Sequence, residues 1–359
     1  MIYLVRFKPL GEYTFGTDQG FAYPGEKSSK ESYIVPSALE PEQTSILGML
    51  RYLLLSHKGL IKSDFVYTDD EKKEMKNCVG AASFSFNANN QDFGHIKSIS
   101  PLFIVDDKEQ IYIKNPFNNK AAEEGYEPIE LSEEAVNTSH GNIRLPKDGE
   151  YDPKKGHASG YICLKDRKIK RDLFKTHFVT GIRKNGRESN DKSFFKLEMV
   201  NMDKNYSFAI FVDSDLEEKD FIKETIGYLG KKKNPFAVTA KPWNNVGVYN
   251  GTEPIEVFLQ EVRNAFSGLQ TQQKYYLALS DVLLKERVFY NGFAIVEKKQ
   301  IRNIETDYDA KKYNDKFKRS SCRFNLISAG SVFYEEPGFD YNNSDLKKAG
   351  YNNIVEIGG

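Results

Sequence analysis

Three stretches of the chain put glycine beside clustered cations. One is Gly181-Ile182-Arg183-Lys184-Asn185-Gly186-Arg187, which follows an apolar-aromatic segment (Phe174, Phe178, Val179). The second is Leu229-Gly230-Lys231-Lys232-Lys233. In the third, Lys318, Arg319 and Arg323 run ahead of Ala329-Gly330-Ser331. Glycine lets backbone N–H groups approach a phosphate with no Cβ in the way. Lysine and arginine supply counter-charge, and arginine adds a two-pronged fork. Each stretch alone also reads as a turn with a solvated rim, and Gly330 as a bulge or bend in a strand. Together, in a chain with 21 Tyr and 25 Phe available for stacking on bases, they point to a single-stranded nucleic acid.

Other chemistries find little support. The histidines are His57, His95, His140, His157 and His177, and none lies three or four residues from another His or a Cys, so no metal site is expected. Cys78, Cys163 and Cys322 are far apart and odd in number, which argues against a disulfide frame or a thiolate zinc site. There is no nucleophile elbow, no phosphate-binding P-loop and no dinucleotide fingerprint, so no cofactor is expected. His57, at the end of a predicted helix, is a candidate general base for RNA cleavage. The same position suits a histidine that merely complements the helix dipole. Asp106-Asp107 reads as turn chemistry.

The 359 residues suffice for two domains or one large α+β unit. Lys plus Arg and Asp plus Glu both total 51, so a wholly basic nucleic-acid binder is excluded, but a segregated surface is not. Cys163 to Lys196 holds eleven basic against four acidic residues, and Lys298 to Arg323 nine against four. The compensating Glu123, Glu124, Glu127, Glu130, Glu133 and Glu134 carry no basic residue between them. Each run also reads as an ordinary solvated surface. No run reaches the roughly 18 apolar residues of a membrane span, and Met49 to Leu55 is broken by Arg51. The chain opens into Ile2-Tyr3-Leu4-Val5-Arg6-Phe7, strand-like and without a basic leader, so a cytoplasmic location is expected.

These residues need elements to hold them. Residues 2–8 alternate as a strand, and a Gly-rich loop follows. A helix then starts near Ser37, read as its cap, with Pro41 and Glu42 in the first turn. Ile46, Leu47, Leu50, Leu53 and Leu54 recur along it, and it ends at Gly59. Gly48 within it implies close packing on a sheet. Residues 101–113 read as a hairpin, and 118–160 as a flexible polar segment or domain boundary. Phe195-Leu197-Met199 and Tyr206-Phe208-Ile210-Val212 alternate around Asp203-Lys204-Asn205 and read as a second hairpin. Residues 216–228 suit a short helix. Further strands are expected at 275–279, 292–296 and 331–334. Many strands and few helices give an α+β sandwich, antiparallel sheet with helices packed on one face.

The opening Tyr3-Leu4-Val5-Arg6-Phe7-Lys8-Pro9-Leu10, then Tyr13-Thr14-Phe15-Gly16 and Gln43-Thr44-Ser45-Ile46-Leu47-Gly48-Met49-Leu50-Arg51, resemble the start of RAMP-superfamily CRISPR proteins. Val179-Thr180-Gly181-Ile182-Arg183, the Leu229-Gly230 basic cluster, Ala329-Gly330-Ser331-Val332-Phe333-Tyr334 and Gly350-Tyr351-Asn352 resemble the type III-B (Cmr) subunit that caps the crRNA at its 5′ tag. The blocks are short, but they span nearly the whole chain in the family's order. The resemblance implies two ferredoxin-like (RRM-like) domains, here 1–150 with a polar insertion and 151–359 with a glycine-rich loop. It implies a non-catalytic subunit contacting the crRNA tag, the large polymerase/cyclase-type subunit and a backbone RAMP subunit. By motif, RNA contacts fall to Arg51, Gly181, Arg183, Lys184, Arg187, Lys231, Lys232, Arg319, Arg323, Gly330 and Ser331. This chain has three lysines where relatives often carry arginine after Leu-Gly, replacing a fork by point charges. The alternatives are the equivalent type III-A (Csm) subunit, a metal-independent crRNA-processing endoribonuclease using His57, and a protein-only scaffold.

Overall fold

The computed structural model describes residues 1–17, 21–22, 32–64, 66–120, 125–139, 141–182, 194–230, 232–243, 254–267, 273–284, 292–302, 304–306, 317–319, 322–339 and 341–358. The protein is mixed α+β, its sheets mostly antiparallel. The main sheet has nine strands, β1 (Ile2–Pro9), β2 (Ile96–Ile99), β3 (Phe103–Asp106), β4 (Ile111–Lys114), β5 (Tyr161–Cys163), β6 (Ile169–Lys170), β7 (Tyr206–Ser214), β8 (Thr225–Leu229) and β9 (Asn234–Pro242). Their order is β6-β5-β4-β3-β7-β1-β9-β8, with β2 also on β7. β1 lies in the middle, Leu4 opposite Phe211 on one side and Lys241 on the other. The sheet thus draws strands from both sides of residue 150.

Period-two alternation sends alternate residues of β1 to opposite faces. Tyr3, Val5 and Phe7 enter one core with Phe208, Ile210 and Val212, under helix α1 (Gln43–His57). Leu4 enters a second core with Phe103, Ala209 and Phe211, under helix α3 (Pro254–Phe266). The expectation of helices on one face is corrected here. β7 is buried along nearly its whole length, and such a strand needs cover on both sides. α3 supplies the second cover through Val257, Phe258, Val262 and Phe266.

Helix α1 follows its apolar pattern, but Glu42 rather than Ser37 precedes it, with no side-chain cap. The Ser37 hydroxyl instead accepts from the Phe15 N–H at 2.9 Å. Gly48 faces solvent with open space around its Cα, so no sheet packing explains it. α2 (Asp69–Val79), which its weak apolar pattern concealed, starts with a reciprocal capping box between Thr68 and Glu71. The fourth helix, α4 (Ser344–Lys348), is short and is capped by Asn343.

The hairpin at 103–114 is present as expected. Residues 206–214 and 194–202 are both strands, but they do not pair with each other. Phe194–Met202 pairs with Phe174–Ile182 in a separate sheet, while β7 pairs with β1, β2 and β3. Residues 203–205 form a corner between sheets, where the Asp203 N–H donates to the Leu173 carbonyl at 2.9 Å. The helix expected at 216–228 is absent. Phe221 and Ile222 are buried in a turn segment, and Thr225–Leu229 is the edge strand β8.

The described residues of the polar segment 118–160 pack against the rest of the chain. The Tyr126 hydroxyl donates within a buried group of Asn118 (2.8 Å) and Tyr275 (2.7 Å), and Asn118 donates to Tyr334 at 3.3 Å. Burial raises the pKa of both Tyr126 and Tyr275, keeping both phenols neutral, and Tyr275 accepts from Tyr126. A two-stranded ribbon, Leu131–Thr138 with Gly141–Pro146, follows.

Candidate nucleic-acid interface

The hairpin Phe174–Ile182/Phe194–Met202 is nine residues long on each strand, in register from Phe174 opposite Met202 to Ile182 opposite Phe194. Its base is fixed to the body by reciprocal backbone bonds between Tyr13 and Val200, at 2.9 and 2.8 Å. Strand Ser32–Val35 runs parallel to it at Lys196 and Leu197. Toward the far end the hairpin is open. Phe178 is 54% exposed, and Val179, Ile182 and Phe194 are also exposed. Exposed aromatic and branched side chains on this ribbon offer apolar surface to solvent.

Gly181 lies opposite Phe195. A Cβ at position 181 would run into the Phe195 ring, so the missing side chain lets that ring lie flat across the neighbouring strand. Lys232 sits over the same ring, its Nζ 5.9 Å from the centroid, within range of a cation–π contact. Two of the three glycine-plus-cation stretches therefore meet at one place. Arg183, Lys184, Arg187 and Lys231 lie outside the described residues. At the base, His177 Nε2 is 3.5 Å from Glu12 Oε2.

The glycine loop of the third stretch lies elsewhere, in the interior. Gly330 has φ +90°, and an added Cβ would meet the Phe117 ring at 2.7 Å and the Asn115 carbonyl oxygen at 3.1 Å. Its N–H donates to the Ala278 carbonyl and its carbonyl accepts from the Phe117 N–H, both at 2.8 Å. Ser331 is fully buried, and its hydroxyl accepts from the Glu297 N–H at 3.3 Å. The bend in this strand thus serves packing between distant parts of the chain. Arg323 is exposed just before strand Phe324–Ile327, and Arg319 belongs to strand Phe317–Arg319.

Behind this loop is a charged group that sequence patterns did not reveal. Lys299 is bonded to Glu42 at 2.9 Å and to Asp281, whose Oδ1 accepts from the Ala329 N–H at 3.1 Å. Burial and the nearby Asp281 raise the Glu42 pKa, while Lys299 opposes them. Burial disfavours the Lys299 charge, but the two carboxylates hold its pKa well above the usual value.

Arg51 is also interior. It is 8% exposed, and its Nη2 donates to the carbonyls of Gly80 (3.3 Å) and Ala82 (2.9 Å), tying α1 to the end of α2. Arg51→Ala leaves those carbonyls short of a charged donor, so a loss of about 2 kcal/mol of stability is expected. A urea midpoint unchanged from the parent would contradict that role. His57 is exposed in the last turn of α1. Among the described residues no group of His, Cys, Asp and Glu is arranged to hold a metal ion, and no helix is long and apolar enough to cross a membrane.

The antiparallel α+β body agrees with the fold class expected from the sequence, while the hairpin Phe174–Ile182/Phe194–Met202 is not among the expected elements. A family model described as CRISPR-associated protein (Cas_Cmr3) matches residues 15–248, and the chain belongs to that family. It is thereby a CRISPR-associated protein. Among solved structures it is similar to a type III-B Cmr-beta bound to cognate target RNA (17% identity, covering 99% of this chain and 96% of that one, TM-score 0.49). It is also similar to the same assembly with AMPPnP in state 1 (16%, 99% and 96%, TM-score 0.48). A third is the Csm3-Csm4 subcomplex of a type III-A interference complex (12%, 93% and 93%, TM-score 0.36). Comparison with curated proteins finds no match.

Proposed function

We propose that this chain is the non-catalytic RNA-binding subunit of a type III-B effector complex. It holds the 5′ tag of the crRNA and joins the large polymerase/cyclase-type subunit to a backbone RAMP subunit. The observation that carries the reading is the hairpin. Its open end carries Phe178, Ile182 and Phe194 in the open, with Lys232 over Phe195 beside it, and it lies inside the family-matched residues. Bases stack on such rings for roughly 1–3 kcal/mol each, and cations track the phosphates. In this reading Arg183, Lys184, Arg187, Lys231 and Lys232 supply the charge around Gly181, and Arg319 and Arg323 extend it. Gly330 and Ser331 shape the second half. Two ferredoxin-like units belong to the same proposal, one built on β1 and α1, the other on α3.

The test uses the full chain with labelled crRNA bearing the 5′ repeat tag, and the same RNA without it, at two salt concentrations. Intact RNA is expected to be retained in a tag-dependent and salt-sensitive way, because phosphate contacts release counterions. Arg183→Ala and Phe178→Ala should each weaken retention, and His57→Ala should leave it unchanged. Cleavage within the repeat that is lost in His57→Ala would overturn the non-catalytic assignment in favour of an endoribonuclease.

A further inference from the structure

Strand Phe174–Ile182 is the outermost strand of its sheet, whose order is Phe174–Ile182, Phe194–Met202, Ser32–Val35, Phe21–Ala22. Among the described residues nothing pairs with its outer edge. The register with Phe194–Met202 runs without a bulge from Phe174 to Ile182. The strand has no proline, and residues 175–180 are all exposed. Long open edges are usually blunted by bulges, prolines, charges or cover. Here only Lys175 and His177 could do so.

The backbone groups on that edge follow from the anchor at the hairpin's base. The Val200 N–H donates to the Tyr13 carbonyl at 2.8 Å, and the Val200 carbonyl accepts from the Tyr13 N–H at 2.9 Å. Val200 therefore turns its backbone away from its cross-strand neighbour, Thr176. At such a position of an antiparallel pair both residues point away from each other, and the pattern repeats every second residue. Thr176, Phe178 and Thr180, flanked by Phe174 and Ile182, thus direct N–H and C=O groups to the open edge. A row of donors and acceptors at this spacing matches the backbone of another β-strand.

The side chains identify that strand. Phe174, Thr176, Phe178, Thr180 and Ile182 share one face, and the series reads nearly the same in both directions. Turned about Phe178, an antiparallel second copy sets Phe178 opposite Phe178, Thr176 opposite Thr180 and Phe174 opposite Ile182. On the other face Lys175 meets Gly181 and His177 meets Val179. Aromatic pairs and Thr–Thr pairs are favourable cross-strand neighbours, and no like charges oppose each other. A register turned about Thr176 would instead set Lys175 opposite His177 and lose the Phe178 pair. We infer that two copies of this chain pair antiparallel along Phe174–Ile182, with the two-fold axis at Phe178. Thr176 to Thr180 alone gives about six backbone hydrogen bonds between the copies. One strand from each copy is a small contact, so the dimer is weak and depends on concentration. It uses the edge of the strand, whereas the RNA reading uses the face, so neither depends on the other.

The test follows the mass of the full chain by sedimentation equilibrium as its concentration is raised. The mass is expected to climb from that of one chain toward that of two. Thr180→Pro removes an outward N–H while leaving the ladder to Phe194–Met202 intact, so the variant should fold and should weaken the dimer about tenfold or more. Cysteine crosslinking then reads the register, in a Cys322→Ser background because Cys322 is exposed. Phe178→Cys should join two copies on mild oxidation. Phe174→Cys should not, because it faces Ile182 of the second copy. The mass of one chain at every concentration overturns the pairing, as does a dimer that Thr180→Pro leaves as tight as the parent, or equal crosslinking from positions 174 and 178. A chain that stays single yet retains tagged crRNA counts against the pairing alone.

Discussion

Gly330→Val is expected to lose about 3 kcal/mol of stability, with the urea midpoint falling and the slope of the transition unchanged. Two costs combine. At φ +90° a branched residue is strained, and its side chain must displace the Phe117 ring, 2.7 Å from the position of an added Cβ. Neither neighbour yields easily. Phe117 is buried, and its N–H is bonded to the Gly330 carbonyl at 2.8 Å. Gly338→Ala is the control, since nothing lies within 4 Å of its added Cβ, and its midpoint should hardly move. Equal effects in the two variants would mean that Gly330 serves something other than packing.

Lys299→Met is expected to cost about 1–3 kcal/mol, below the full penalty of breaking a buried ion pair because the group is only partly shielded. The side chains of Lys299, Glu42 and Asp281 are 33%, 27% and 15% exposed. Removing the ammonium leaves two carboxylates facing each other across the junction between α1 and the glycine-rich loop. The deficit should depend on pH with a definite sign. The Glu42 pKa is raised by burial and by Asp281, so the folded protein holds that proton more tightly than the unfolded chain. Stability associated with it is present at low pH and lost as pH rises through the window above the unfolded carboxylate value. In Lys299→Met the window widens, and the deficit should shrink on acidification from neutrality. Adding Glu42→Gln to Lys299→Met should recover part of the loss at neutral pH. A deficit that ignores both pH and the second substitution would remove electrostatics as its cause.

Individual strands are legible in this sequence, while their partners are not. Tyr206–Ser214 shows the alternation of a strand, yet that pattern cannot say that the strand is covered on both faces, since α3 and β1 lie far from it in the chain. The nearest turn, at 203–205, therefore suggests a hairpin that the structure replaces with a corner. Helix α2 carries its capping box in plain view at Thr68 and Glu71, but it buries only Cys78 and Val79, too few residues for an apolar stripe. Helix α3 was legible in principle from Val257, Phe258, Val262 and Phe266.

The candidate site divides the same way. Clustered charge marks the Gly181 and Lys232 neighbourhood, and the structure brings those two together. The same residue types at Gly330 mark a packing bend, because the Phe117 ring that demands the glycine is remote in sequence. Arg51 looks like any helical cation until Gly80 and Ala82 are seen beside it. The Lys299 group has no sequence signature, since its three members come from three separate segments.

The central position of β1 sets a schedule for synthesis. Leu4 is flanked by Phe211 and Lys241, so β1 is made about 200 residues before the strands that pair with it. At roughly 5–20 residues per second, about 10–50 s separate the appearance of β1 from that of β9. Throughout that interval both edges of Ile2-Tyr3-Leu4-Val5-Arg6-Phe7 lack the partners that the finished sheet gives them.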